Sequence, residues 1–321
     1  MAQRSNGEGT GPAAGSSRPE GFPSQRELIV IAKSETGLRA RPEGVTSVTG
    51  ANVDPLRDLL ASEGATLQPL FGASEERLNA EAARLATTGA EELPDLSVFY
   101  RVEAPDERLD DLAESIRQMD GIEGAYVKPP AEPAQVVEPP APAAEEPPAV
   151  TANFTSRQDY LERAPVGIDA IYAATRPGGR GVDVNIIDIE WGWRFTHEDL
   201  IQNQGGIVAG TGSPNDDHGT AVIGEFSGDR NTFGITGISP AATVFAVSLV
   251  SFPESQAIRI AADRLRPGDI ILLEVHRPGP RGPGPPPRYP IRFHSHRMVA
   301  GRSRRYSLRS KQRRDCCRSG R

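Results

Sequence analysis

The chain reads as an α/β protein, a partial parallel sheet preceded by a small α+β unit. Three observations predict this. Between 181 and 275, apolar β-branched runs alternate with a helical pattern, and strand–helix–strand order favours a parallel sheet with crossover helices. Between 26 and 128, shorter strands and helices follow one another in a span that suits a separate two-layer unit. Residues 129–150 alternate Pro, Ala and Glu, the composition of an extended, solvated linker that keeps two folded units apart.

The N-terminal segment, 1–24, is polar and rich in Gly, Pro and Ser, and reads as disordered. It has no apolar core, so it does not read as a secretory signal. Glu27 to Ala32 (ELIVIA) is a strand by its β-branched content. Asp54 to Glu63 places Leu56, Leu59 and Leu60 on one helical face, and Glu75 to Leu85 is a second helix. Leu96 to Val102 alternates as a strand. Asp106 to Met119 aligns Leu109, Leu112, Ile116 and Met119 on a helical face, and Gly124 to Lys128 closes the unit as a strand.

Beyond the linker, Asp159 to Thr175 has the spacing of a helix around Ile168, Ile171 and Tyr172. Gly181 to Ile187 is a strand, apolar on both faces at its end. Thr243 to Leu249 and Asp269 to Val275 are two further strands with a helix, Ser255 to Leu265, between them. The expected organisation is therefore 1–24 disordered, 25–128 α+β, 129–150 linker, 151–276 α/β and 277–321 a basic tail.

Composition narrows the function classes. The chain has 321 residues, only 37% hydrophobic, with 29 prolines and 33 glycines, so a substantial part lies outside any core. No apolar run reaches the length of a membrane span, and a soluble, cytoplasmic protein without membrane contact is the default expectation. The net charge of −7 hides an asymmetry: 277–321 carries 14 Lys and Arg against one acid, Asp315. Both cysteines, Cys316 and Cys317, are neighbours in that tail, which leaves the body without disulfides or a Cys-x-x-Cys spacing. Neither a cofactor nor a metal is expected.

Two segments carry the chemistry. Asp188 ends an apolar strand, the edge where open parallel sheets gather reactive groups. Asp217-His218-Gly-Thr-Ala-Val-Ile-Gly224 starts a helix whose small residues permit close backbone approach. A serine hydroxyl becomes a nucleophile when an imidazole takes its proton, and a carboxylate on the other ring nitrogen fixes the tautomer and stabilises the imidazolium. In this arrangement Asp188 orients and His218 is the general base. Asp216 and Asp217 read as loop and helix-start acids, His197 as structural, and Glu190 and Trp191 receive no role.

The Asp188 strand with its following His197-Glu-Asp-Leu200, and the Asp-His-Gly-Thr block, resemble the aspartate and histidine blocks of the subtilisin-like serine peptidases. The resemblance runs from about 165 to 276. Gly234 to Ala242 is similar to the family's Gly-x-Ala-Pro-x-Ala turn, and Gly268 to Val275 to the strand bordering the substrate cleft. Leu273-Glu-Val275 stands where Ser-Leu-Gly is usual, and Asp188-Ile-Glu190 where Asp-Thr/Ser-Gly is typical. The resemblance implies peptide-bond hydrolysis of a peptide or protein substrate through an acyl-enzyme. It also implies that 25–128 is a propeptide-like inhibitor and folding aid contacting the catalytic unit within the chain.

The family's serine block, Gly-Thr-Ser-x-Ala/Ser-x-Pro, is missing. Gly210-Thr-Gly-Ser213-Pro precedes the histidine, and the oxyanion asparagine has no counterpart. Without both groups the expected state is an inactive peptidase. The tail offers a reason. From His296 onward, one permitted codon choice read one base later gives IEWWPDDLDAIRYAASNGVIVVEAAG, and Met298-Val299 forces a tryptophan there. That peptide continues the helix–strand pattern, so the tail reads as a frame slip between Pro280 and His296.

Two other classes remain as alternatives. One is a non-catalytic inhibitor or chaperone acting through 25–128. The other is nucleic-acid binding, in which the Arg-rich tail neutralises phosphates and Tyr289, Phe293 and Tyr306 stack on bases.

Overall fold

A computed structural model describes residues 25–87, 93–133 and 151–277. The expectations for 1–24, for the linker beyond Pro133 and for the tail beyond Arg277 lie outside the described residues. The elements are β1 (Glu27–Ala32), β2 (Leu38–Arg41), β3 (Gly44–Ser47), α1 (Asp54–Ser62), β4 (Thr66–Pro69), α2 (Glu75–Ala86), β5 (Phe99–Glu103), α3 (Leu109–Arg117), β6 (Ile122–Lys128) and β7 (Glu132–Pro133). There follow α4 (Ala170–Ala173), β8 (Asn185–Glu190), β9 (Gln204–Ala209), α5 (Asp217–Ser227), β10 (Thr243–Ser248), α6 (Glu254–Ala262), β11 (Ile270–Leu273) and β12 (Val275–His276).

The first sheet is antiparallel, in the order β4-β5-β1-β6. Alternation along β1 sends Leu28, Val30 and Ala32 to one face, where they meet Tyr100 and Val102 of β5 and the apolar stripes of α1 (Leu56, Leu60) and α3 (Leu112, Ile116). The Tyr100 hydroxyl, buried in this core, donates to Leu38 O at 2.6 Å. The hairpin β2–β3 and strand β4 carry too few apolar residues to stand out in the sequence.

The second sheet is wholly parallel, in the order β11-β8-β10-β9. The chain is thus a mixed α/β structure with a four-stranded parallel sheet, an arrangement compatible with a subtilisin-like fold. Strand β8 is central and covered on both sides. Ile187 and Ile189 face α6, packing with Ala257, Ala261 and Val247. Ile186 faces α5, packing with Ile223, Trp193 and Leu200. Full burial of one such isoleucine stabilises by about 1.5–3 kcal/mol.

Two expectations are corrected. Residues 159–175 do not form one helix: 3-10 turns at 155–157 and 159–161 lead to the single-turn α4. Pro165 has no N–H to give, Asp169 adopts a left-handed φ of 63°, and a Cβ on Gly167 would lie 2.6 Å from Asp159 O. The apolar residues that suggested a helix, Ile168, Ile171 and Tyr172, are exposed. Strand β8 also begins later than its sequence suggests, because Asp183 takes a left-handed turn (φ 63°) just after Gly181, and it ends at Glu190 rather than Ile187, because its pairing with β10 runs on to Ser248. The glycine-rich β9 was not expected as a strand.

The two sheets are joined by buried charges. Lys128 at the end of β6 pairs with Glu27 and, at 3.2 Å, with Glu254 at the start of α6; Arg277 pairs with Glu254 and reaches Pro129 O. Ser255 Oγ donates to Leu70 O at 2.9 Å, and Arg259 pairs with Glu81 at 3.0 Å. Beyond Lys128 the backbone of β7 pairs antiparallel with β12, Glu132 opposite His276 and Pro133 opposite Val275. No helix among the described residues is long and apolar enough to cross a membrane.

Candidate functional site

Residues two apart on a strand share a face, so Ile186, Asp188 and Glu190 all point toward α5. They differ in height. Each pair advances roughly 6.6 Å toward the carboxyl edge of the sheet. The first turn of α5 lies over that edge, and His218, its second residue, therefore meets the last acid of the strand. Its Nδ1 is 2.7 Å from Glu190 Oε1, an ion-pair contact lying off the line of a regular N–H···O bond.

The carboxylate beside the imidazole thus belongs to Glu190, which corrects the expected pairing of His218 with Asp188. Asp188 sits one pleat lower, fully buried, and its Oδ2 accepts a hydrogen bond from Trp193 Nε1 at 2.7 Å. It braces the indole that lies beneath the first turn of α5. Burial pushes the Asp188 carboxyl up to about 8; the indole bond opposes this, and the nearby Glu190 and Glu274 reinforce it. Burial likewise raises Glu190, against the pull of His218. Glu190 in turn holds the imidazole above its ordinary value, with burial acting the other way.

Glycines set how closely these pieces approach. Gly219, next to His218, lies against the 192–193 turn: a Cβ there would collide with Gly192 O and come within 2.9 Å of the Trp193 ring. A Cβ on Gly192 would lie 2.6 Å from Ser213 O. A side chain at either position would lift the helix start away from the strand end.

The surrounding polar groups have structural tasks. Arg194 N donates to Thr220 Oγ1 at 2.8 Å, and the Arg194 guanidinium pairs with Asp216 at 2.6 Å and Asp217 at 2.9 Å. His197 Nδ1 accepts from Asp199 N at 3.2 Å, a local turn contact. Ser213 Oγ accepts from Asn215 N at 3.1 Å in the loop before α5.

Two site residues escaped the sequence reading, Glu190 and Glu274. A signal for the first was present. Glu190-Trp191-Gly192 keeps a glycine two positions after the acid, as in Asp-Thr/Ser-Gly, whereas the position two after Asp188 is Glu190 itself. Glu274 lies between β11 and β12, and one of its carboxylate oxygens falls within 4.8 Å of the ligand atoms of both Glu190 and His218. The segment leaving the first unit also borders the site. Ala131 is buried with Ile189, Trp191 and Val275, and His276 Nε2 is 3.7 Å from Glu132 Oε2. A separate cavity of about 370 Å³, between Arg101–Leu109 and Leu249–Glu254, does not include the Glu190–His218 pair in its lining.

No family model matches the chain, and no curated protein matches it. Among solved structures, fervidolysin from Fervidobacterium pennivorans, a keratinolytic enzyme related to subtilisin, is similar with a TM-score of 0.31 and 15% identity. The match covers 74% of this chain and 32% of that one, so this chain corresponds to less than a third of the neighbour's length. The likeness is too slight to carry an activity across.

Proposed function

We propose that this site is the acid–imidazole part of a serine-peptidase relay of the subtilisin-like kind, with Glu190 orienting, His218 as the base and the attacking serine missing from the sequence. The observation that carries the reading is the 2.7 Å contact of His218 Nδ1 with the buried Glu190 at the carboxyl edge of the parallel sheet. With Nδ1 committed to the carboxylate, Nε2 is the nitrogen that would take a hydroxyl proton and later return it to a leaving amine. Asp188 acts one step removed, through Trp193. No Gly-Thr-Ser-x-Ala block occurs among these 321 residues to supply the hydroxyl, so our reading is that they do not cleave peptides by themselves.

Two measurements on the full chain test this. A carboxylate-paired imidazole gives a strongly downfield N–H proton resonance, which should vanish in His218→Ala and move upfield in Glu190→Gln. Peptide substrates should survive, and a fluorophosphonate should label no serine. A resonance indifferent to Glu190→Gln would remove the pairing on which the relay rests, and labelling or amide turnover would refute the missing nucleophile.

One contact supports a second reading, in which the first unit acts on a peptidase as an inhibitor or folding aid. The β7–β12 pairing lays the chain leaving that unit along the strand beside the site, the place a peptide substrate would take. A fragment of 25–133 added to an active subtilisin-like peptidase should slow it. Unchanged turnover with the fragment in large excess counts against this reading.

A further inference from the structure

Glu274 has no part in the relay, yet it completes a cluster of a different character. Glu190 closes β8, His218 lies in the first turn of α5 and Glu274 joins β11 to β12, so three separate segments each deliver one metal-ligating atom. All three atoms lie within 4.8 Å of one another. Glu190 Oε1 and His218 Nδ1 are buried without a regular hydrogen bond, and Glu190 is 1% exposed. Behind them Asp188 Oδ1 is also buried without one. Three carboxyl groups thus gather near one imidazole, with Glu190 and Asp188 fully buried and His218 and Glu274 half-buried. Such a charge balance is met either by bound protons or by a cation.

We propose that Glu190, His218 and Glu274 form a binding site for a divalent transition cation of the zinc class. One imidazole and two carboxylates, with no thiolate, suit Zn²⁺ or a similar first-row ion. Calcium, which takes six to eight oxygen ligands, does not match this set. With bonds of about 2.0–2.1 Å, tetrahedral donor atoms stand roughly 3.4 Å apart. The Glu190–His218 contact must open by less than an ångström and Glu274 must swing inward, adjustments that glutamate rotamers allow. Binding needs both ligand atoms deprotonated, releases their proton to solvent and occupies Nδ1, so the ion and a working relay exclude each other. The proposal rests on the placement of three ligands and not on the peptidase reading, so its failure would leave the Glu190–His218 contact as it is.

The test uses the full chain carrying Cys316→Ser and Cys317→Ser, which removes the tail thiolates as competing ligands. Co²⁺ is titrated while the visible d–d absorption is followed, and Zn²⁺ is then added to displace it. One equivalent should bind, and Zn²⁺ should raise the melting temperature. Glu274→Gln, which keeps size and shape, should weaken binding by at least about tenfold, the loss expected even of a supporting partner, and His218→Ala should abolish it. Absence of a one-equivalent spectrum would overturn the proposal, as would Co²⁺ affinity unchanged in Glu274→Gln. If His218→Ala fails to fold, Glu190→Gln with circular dichroism as a folding check decides the matter in the same way.

Discussion

Glu190 Oε1 lies 2.7 Å from His218 Nδ1, while Asp188, two residues earlier on the same face of the same strand, is tied to Trp193 Nε1 at the same distance. One strand therefore delivers two buried acids to two partners. The strand rise alone decides which acid reaches the imidazole, because α5 starts above the sheet edge and not beside its middle.

The bracing role of Asp188 separates two substitutions. Asp188→Asn retains an oxygen for the Trp193 indole, and because burial pushes the carboxyl up to about 8 it changes little charge at neutral pH, so stability should stay within about 1 kcal/mol of wild type. Asp188→Ala strands a buried donor and should cost about 1–3 kcal/mol. Chemical denaturation of both variants checks this, and equal losses would remove the indole bond as the reason for the acid.

Gly219→Ala should be costly at an apparently innocuous helix position. The added methyl must displace Gly192 O or the Trp193 ring, and overpacking of this kind costs about 1–3 kcal/mol. The helix start would also retreat from Glu190, so the downfield imidazole proton should weaken together with stability. A stabilised variant with an unchanged resonance would contradict the close approach.

The junction between the sheets should be acid-labile. Burial pushes Glu254 up, but Lys128 and Arg277 outweigh it and hold the carboxyl below its ordinary value. A group depressed in the folded state contributes its stability above the unfolded pKa of about 4.3 and loses it as pH falls through the lower folded value. Glu27 shares Lys128 and Tyr126 faces Arg277, so the cluster responds as a unit. Protease sensitivity of the intact chain should stay flat at neutral pH and rise steeply below about pH 4. Glu254→Gln leaves Lys128 and Arg277 buried without their shared acid and should cost about 3–5 kcal/mol at neutral pH. An acid onset at the same pH in that variant would show that another group governs it.

Ala131 offers a way to lift the connecting segment from the site. It is 3% exposed among Ile189, Trp191 and Val275, and Ala131→Asp would bury an unpaired carboxylate there. The β7–β12 pairing should open, with faster hydrogen exchange at Val275 and His276 and new cleavage near Glu132. Unchanged exchange would mean that the pairing does not depend on this anchor.

The order of elements was legible in the sequence wherever apolar periodicity was strong: β1, α1, α2, α3, β8, β10 and α6 all lie within a few residues of where their patterns place them. Weak patterns misled in both directions. Ile168, Ile171 and Tyr172 have helical spacing, but a proline, a tightly packed glycine and a left-handed Asp169 break the backbone there. Gln204–Ala209 opens with a glutamine and two glycines and has only a short apolar run, Ile207 to Ala209, yet it pairs with β10, since a backbone ladder can be completed with little help from side chains.

By itself, the sequence determined that an acid-bearing strand end and a histidine-led helix belong together. Periodicity and local chemistry suffice for that, because strand faces and helix starts are properties of short segments. Only the tertiary structure decided which acid meets His218, and that Glu274 joins them from the connection between β11 and β12, far along the chain. Those outcomes depend on the height of α5 over the sheet and on the register of β11 against β8, quantities set by packing between segments far apart in the chain.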